Sequence, residues 1–156
     1  MIDSIQLGAR ADALSVIRQA ATHLIEQKKS LWELDCLTMK QVFHACQDQN
    51  VVVGYIKGSP VTAMVLTYYD PLFWPNVPPN QAGFIHKLSV VPNYQGKGIA
   101  DQMVNFAKNE IKNKGLLWLR LIAIQIGADY EVFTKGWNFD AFEKASLRHT
   151  RLLSMR

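Results

Sequence analysis

A glycine-rich turn, QGKGIA at residues 95–100, joins an apolar run to a stretch with helical periodicity. Backbone N–H groups at the start of a helix have no partner within the helix, and the helix dipole is positive there, so this position attracts anions. The two glycines leave the backbone bare, while Gln95 and Lys97 add a donor and a positive charge. The turn therefore predicts a phosphate-binding site.

Two common phosphate-binding loops do not fit this turn. The nucleotide P-loop pattern G-x-x-x-x-G-K-[ST] occurs nowhere in the chain. The dinucleotide pattern G-x-G-x-x-G fails because Asp101 stands where the third glycine belongs and because the preceding strand is the fourth rather than the first.

A histidine lies upstream of the turn, on the apolar run that we predict to be a strand over residues 83–91. Strict alternation along a strand places Phe84, His86, Leu88 and Val90 on one face. Because the ordinary pKa of histidine lies near neutrality, His86 is a candidate general base. The alternative is a hydrogen-bonded histidine of the core.

The elements that position these residues follow from the apolar periodicity, which predicts one α/β domain over residues 1–156. The predicted elements are a strand at 4–7, a helix from Asp12 as N-cap, a helical region at 32–47, strands at 51–57 and 61–69 with a turn at 58–60, a loop at 70–80, a strand at 83–91, a helix at 99–114, a strand at 116–124, a helix near 128–135 and one or two strands from 139 onward. The strand–helix–strand unit at 84–124 should contain a parallel strand pair.

The composition excludes several function classes. The net charge of +4 is too small, and the basic residues are too scattered, to indicate a nucleic-acid partner. No apolar stretch is long enough to cross a membrane, and the N-terminus does not resemble a signal peptide, so we expect a cytoplasmic protein. Cys36 and Cys46 show no metal-ligand spacing, so no metal is expected and both should be buried thiols.

The chain contains the run Leu88-Ser89-Val90-Val91-Pro92, followed by Gln95, Gly98 and Ala100. This pattern resembles the signature of the GNAT (GCN5-related) N-acetyltransferase superfamily, in which L-x-V-x-P precedes [QR]-x-x-G-x-[GA]. The order of elements resembles that family up to about residue 121. The resemblance implies a GNAT-type fold with a mixed sheet of six to seven strands and about four helices.

The resemblance also implies the cofactor, acetyl-CoA, with CoA as product. The pantetheine arm would lie along the 83–91 strand, with the thioester carbonyl accepting from a backbone N–H near Val90, and the turn would hold the pyrophosphate. The cofactor-binding residues implied in this way are Leu88, Ser89, Val90, Gln95, Gly96, Lys97, Gly98, Ile99 and Ala100.

The chemistry implied is acetyl transfer to a primary amine, most simply of a small molecule, by direct attack in a ternary complex. Some family members carry a histidine at the position of His86, where it removes the amine proton through water. The family acid is often a tyrosine in a helix after the fifth strand, and Tyr130 is the candidate here, one turn before the expected place near Phe133. The alternative function is a non-catalytic acyl-CoA-binding or sensing module that has lost its acid.

The acceptor site of the family borders the early helices and the segment between the third and fourth strands. Asp70 could hold an ammonium group there, assisted by aromatic faces. The candidate substrate residues are Trp32, Tyr68, Tyr69, Asp70, Phe73 and Trp74. The alternative is that the aromatic residues only pack the proline-rich loop. The sequence does not choose among alkyl amines, amino acids, polyamines and protein N-termini, and a homodimer using the apolar residues 152–155 is an option.

Overall fold

The computed structural model describes residues 1–29, 32–124, 130–136 and 143–146, with the strands beyond residue 121 described by their backbone. The strands are β1 (Ser4–Leu7), β2 (Val51–Ile56), β3 (Ser59–Thr67), β4 (Ala82–Val90), β5 (Trp118–Ile124), β6 (Tyr130–Gly136) and β7 (Glu143–Ser146), and the α-helices are α1 (Arg10–Glu26), α2 (Met39–Phe43) and α3 (Ile99–Asn113). The seven strands form one sheet in chain order. This architecture confirms the predicted mixed α/β fold.

The two faces of the sheet carry separate cores because side chains alternate along each strand. Residues of α1 and α2 pack against one face, which includes Val53 and Val65. Residues of α3 pack against the other face, which includes Val52, Met64 and Ile85. The sheet is therefore covered on both sides, as its nearly continuous apolar strands require.

The β4–α3–β5 unit contains the parallel pair that the sequence predicts. The pairing extends only over Ala82–Ile85 on β4 and Trp118–Leu121 on β5. Both strands continue beyond these residues, to Val90 and Ile124 respectively, without any pairing between them in their described length. The two strands thus separate toward their carboxyl ends and leave a slot, which is where ligands bind in open α/β sheets.

A β-bulge interrupts β4 immediately beyond its paired segment. On β3, Val65 is opposite His86 and Ala63 is opposite Ser89, so that two β4 residues, 87 and 88, face the single residue between them. Lys87 has a φ of +52°, in the left-handed region that lysine rarely adopts.

The bulge overturns the predicted alternation of β4. His86 is opposite Val65, on the face that α1 and α2 cover. Leu88 instead packs against the core under α3. The prediction that Phe84, His86, Leu88 and Val90 share one face is wrong, because the extra residue of the bulge interrupts the alternation and Leu88 lies on the opposite face from His86.

Other predicted elements also differ from the structure. Helix α1 begins at Arg10 after Ala9, so Asp12 is not its N-cap, and the Asp12 carboxylate instead accepts a hydrogen bond from the Tyr55 hydroxyl at 2.6 Å. The region 32–47 contains one short α-helix and a 3₁₀ turn at Leu34–Cys36 rather than a continuous helix.

The predicted helix near 128–135 is wrong as well. Residues Tyr130–Gly136 form strand β6, antiparallel to β5, because their β-branched and aromatic side chains suit an extended pairing partner. The predicted strand after residue 139 corresponds to β7, while residues 152–155 lie outside the described part of the chain. Within the described ranges, no helix has the length and apolar character needed to cross a membrane.

Candidate active site

The glycine-rich turn follows β4 through a 3₁₀ turn at Pro92–Tyr94 and includes the first two residues of α3, Ile99 and Ala100. Gly96 has a φ of +70° and Gly98, the N-cap of α3, a φ of +71°. A Cβ at Gly96 would meet nothing within 4 Å, and one at Gly98 only the Asp101 carboxylate at 4.0 Å. The backbone conformation, rather than lack of space, therefore requires glycine at both positions.

The start of α3 is open to an anion. No side chain caps it, and the first N–H to reach an intrahelical acceptor is that of Gln102, which bonds the Gly98 carbonyl at 3.3 Å. The N–H groups of the preceding helical residues are left without partners in the helix. Residues of the turn and the first helical turn line a cavity of about 330 Å³ together with Val90 and Tyr94. This cavity has room for a phosphate group beside the unpartnered N–H groups of the helix start.

The side chains of the turn stabilise this shape. The Gln95 amide donates to the Val90 carbonyl at 3.0 Å, which connects the turn to the end of β4. The Lys97 ammonium lies 5.4 Å from the centre of the Tyr94 ring and is exposed. The buried Ile99 belongs to the core, so only its backbone faces the cavity.

The bulge residues between the turn and the paired part of β4 are held by hydroxyl groups. Thr62 donates to the Ser89 carbonyl at 2.8 Å, and Ser89 donates to the Lys87 carbonyl at 3.0 Å. The Ser89 side chain is buried, so it supports the slot rather than lining it. These bonds hold the irregular backbone at the place where β4 and β5 separate.

A second cavity, of about 290 Å³, lies beside His86 on the face covered by α1 and α2, and we call it the acceptor pocket. It is assembled from α2 and the residues after it, from β3 with the loop that follows, and from β4. Its lining residues are Val42, His44, Ala45, Cys46, Val65, Thr67, Tyr69, Asp70, Pro71, Leu72, Phe73, His86 and Lys87.

Asp70 and His86 form a pair in the acceptor pocket. The Asp70 carboxylate is 6% exposed, and one of its oxygens accepts from the N–H groups of Leu72 and Phe73, both at 3.1 Å. Its other oxygen lies 3.6 Å from Nε2 of His86 and has no hydrogen-bond partner within the described residues. A buried carboxylate oxygen that faces an imidazole favours the tautomer with the proton on Nε2, which leaves Nδ1 as the acceptor.

The pKa of His86 lies below its ordinary value. Burial is the main cause, and the Lys87 ammonium adds to it, while the Asp70 carboxylate acts in the opposite direction. The imidazole is therefore neutral at physiological pH and able to accept a proton.

Of the predicted substrate residues, the structure brings Tyr69, Asp70 and Phe73 to the acceptor pocket. Trp74 does not line it, since it packs against Phe84 with 4.9 Å between ring centres. Tyr68 lies against the α3 side of the sheet, and Trp32 packs against the core under α1.

Several lining residues were not singled out by the sequence. The Thr67 hydroxyl is buried without a hydrogen-bond partner among the described residues. Cys46 is partly buried, and burial raises the pKa of its thiol. Cys36, predicted to be buried, is exposed. The hydrophobic pattern of the sequence does not identify Thr67, Cys46 or Lys87. These residues come together only through the bulge and the fold of the 70–80 loop.

The predicted acid, Tyr130, is the first residue of β6 and pairs with Ile124. It thus lies at the carboxyl end of β5, the end at which β4 and β5 separate. Its position on a strand replaces the helical position that was predicted.

The comparison with family models finds the acetyltransferase (GNAT) family over residues 12–128. The comparison with curated protein sequences finds no significant match.

Solved structures with the same fold include a GNAT-family acetyltransferase from Listeria monocytogenes, 16% identical with a TM-score of 0.61 over 78% of this chain and 77% of that one. The PaiA N-acetyltransferase of Thermoplasma acidophilum, in complex with coenzyme A, is 13% identical with a TM-score of 0.56, over 77% and 79% of the two chains. The N-acetylglutamate synthase of Neisseria gonorrhoeae, complexed with coenzyme A and N-acetyl-glutamate, is 16% identical with a TM-score of 0.54 over 77% of this chain. The present chain spans only 25% of that synthase.

Proposed function

The chain belongs to the GNAT acetyltransferase family, and we propose that it transfers the acetyl group of acetyl-CoA to the primary amine of a small molecule. Family membership supports acyl-CoA-dependent acyl transfer in general, and the amine acceptor and the direct attack are the finer parts of our proposal. One observation supports the proposed acetyl transfer most directly. His86 is the first β4 residue beyond the segment paired with β5, so a single residue adjoins both the slot and the acceptor pocket.

The donor side fits coenzyme A. The backbone of residues 95–100, with its two left-handed glycines and the uncapped start of α3, would hold the pyrophosphate. The pantetheine arm would lie against the backbone of Leu88, Ser89 and Val90. In the described structure, this part of β4 has no strand partner on the β5 side. Related folds from Thermoplasma and Neisseria were crystallised with coenzyme A, which supports this assignment. When bound, acetyl-CoA supplies an activated acetyl group and a thiol leaving group.

Side chains of the protein would carry out the proton transfers of the reaction. An acceptor amine is protonated in water and must lose a proton before it attacks the acetyl carbon. Neutral His86 accepts this proton at Nδ1, while Asp70 stabilises the imidazolium that forms. The new C–N bond replaces the C–S bond, and the departing sulfur takes up a proton. Tyr130, at the carboxyl end of β5, is our proposed source of that proton.

The acceptor pocket favours a small acceptor. Its volume of about 290 Å³ is at the lower end of the range for small-molecule sites. A cytoplasmic location and a homodimer stay predictions.

The donor assignment is tested by thermal shift with acetyl-CoA, CoA, ATP and NAD. We expect the two CoA compounds to raise the melting temperature and the two nucleotides to leave it unchanged. Equal stabilisation by ATP or NAD would contradict the assignment.

Catalysis is tested by CoA thiol release over a panel of primary amines. We expect His86→Gln to lower kcat by at least about 100-fold, the usual contribution of a general base, without changing the Kd for acetyl-CoA. His23→Gln is the matched control, because His23 lies on α1 outside the acceptor pocket. Tight CoA binding without thiol release from any amine would favour the non-catalytic binding module.

A further inference from the structure

Lys87 contributes an ammonium group to the acceptor pocket, and no carboxylate of the described residues pairs with it. The ion pairs among the described residues join Arg10 to Asp48, His23 to Glu26 and His86 to Asp70. None of them involves Lys87, although its side chain is partly buried and lines the cavity. A partly buried cation without a counter-charge is costly, which indicates that an anion from outside the chain completes the pocket.

Burial lowers the pKa of Lys87 itself, so its charged form gains from an anionic partner. Burial also keeps the groups around Lys87 neutral. Burial raises the pKa of the Cys46 thiol and lowers that of His86, so the thiol keeps its proton and the imidazole stays uncharged at neutral pH. The Asp70 carboxylate pairs with His86, and no ion pair joins it to Lys87 among the described residues. The pocket therefore has a negative part at Asp70 and a separate positive part at Lys87.

The bulge is what brings Lys87 to this cavity. Consecutive residues of a regular strand point to opposite faces, so Lys87 would face away from the pocket that His86 lines. The left-handed conformation of Lys87, with a φ of +52°, lets both residues line one cavity.

We propose that the acceptor is an amino acid, whose amino group lies toward His86 and Asp70 and whose carboxylate pairs with Lys87. The proposal rests on the proposed acetyltransfer and narrows its substrate class. A zwitterion neutralises both parts of the pocket, whereas a simple amine leaves the Lys87 ammonium unpaired. The volume of the acceptor pocket suits a molecule of this size.

The test measures CoA thiol release with the twenty common amino acids and with matched amines that lack the carboxylate. Leucine with 3-methylbutylamine and leucinamide, and phenylalanine with 2-phenylethylamine, form such sets. At least one amino acid should exceed its decarboxylated partner in kcat/KM by about 30-fold or more, as loss of one buried charge pair implies. Equal or higher kcat/KM for the amines overturns the proposal.

A variant without the Lys87 charge tests whether this residue causes the preference for amino acids. Lys87→Met should raise KM for the preferred amino acid by about 30-fold and change KM for its decarboxylated partner much less, while Lys87→Arg should restore most of the loss. Any change in kcat that comes from the loss of the Lys87 charge beside His86 should be the same for both substrates. Lys57→Met is the matched control, because Lys57 also has a positive φ, of 50°, but lies exposed in the β2–β3 turn. An equal effect of Lys87→Met on both substrates would contradict a carboxylate contact.

Calorimetry with the CoA-loaded protein covers the case in which no amino acid is acetylated. Binding of an amino acid that Lys87→Met weakens supports the proposal, and absence of binding by all twenty overturns it. Failure of CoA itself to bind overturns the proposed function instead, so the two failures are distinguishable.

Discussion

The donor site and the acceptor pocket are built in opposite ways. The proposed donor site uses consecutive residues, 95–100, and would bind coenzyme A through backbone N–H groups exposed by two left-handed glycines. The acceptor pocket uses side chains from three separate parts of the chain, among them Thr67, Asp70 and His86.

The difference explains how each site can be recognised in a sequence and how substitutions change it. A backbone cradle depends on conformation, so its sequence requirement is short and local. A pocket of side chains depends on which strands are neighbours and on how each strand faces, so one inserted residue changes its composition. Substitutions in the donor site should therefore lower the turnover of every acceptor equally. Substitutions in the acceptor pocket should lower the turnover of some acceptors more than that of others.

The largest effect should come from the donor turn. Gly98→Asp forces a side chain into a backbone with a φ of +71° and places a negative charge at the anion site. We expect the Kd for CoA, measured by calorimetry, to rise by at least about 100-fold, since like charges in a binding site cost several kcal/mol. Gly58→Asp is the control, because Gly58 has a φ of +76° with open space around it and lies in the β2–β3 turn. Equal loss of CoA binding in both variants would show that the effect is one of folding.

A smaller effect should appear in the pH dependence of the acceptor side. In the proposed mechanism neutral His86 is the active form, and its lowered pKa keeps it neutral below the ordinary value of about 6.5. Because Asp70 raises this pKa, Asp70→Asn should lower it further and shift the acid limb of kcat/KM to lower pH, with a several-fold loss of rate. The acceptor amine titrates identically in both proteins, so the difference between the two curves reports His86. A shift to higher pH would contradict the assigned pairing.

The smallest effect should separate two threonines of β3 whose hydroxyl groups are buried. Thr62 donates to the Ser89 carbonyl under the bulge, so Thr62→Val should lower the free energy of unfolding by about 1–3 kcal/mol. The Thr67 hydroxyl has no such partner in the described structure and lines the acceptor pocket, so Thr67→Val should change that free energy by less than about 1 kcal/mol. It should instead raise the acceptor KM a few-fold. Urea unfolding and steady-state kinetics measure both, and a large loss of stability in Thr67→Val would show a structural role.

The sequence predicted the fold better than it predicted the faces of the strands. The apolar periodicity correctly indicated the parallel β4–β5 pair, helix α3 and the turn between them. It failed at β4 because a lysine in the left-handed region leaves no mark in the hydrophobic pattern. It failed at 130–136 because a short run of mixed residues suits a helix or a strand, and pairing with β5 decides between them.

The donor site was determined by the sequence itself, because a left-handed turn at a helix start requires glycines at set positions and those positions are contiguous. The acceptor pocket was decided by the tertiary structure. Its Asp70–His86 pair and its separate lysine depend on the register of β3 with β4, on the bulge at Lys87 and on the path of the 70–80 loop. These are consequences of long-range packing, and no local pattern of residues specifies them.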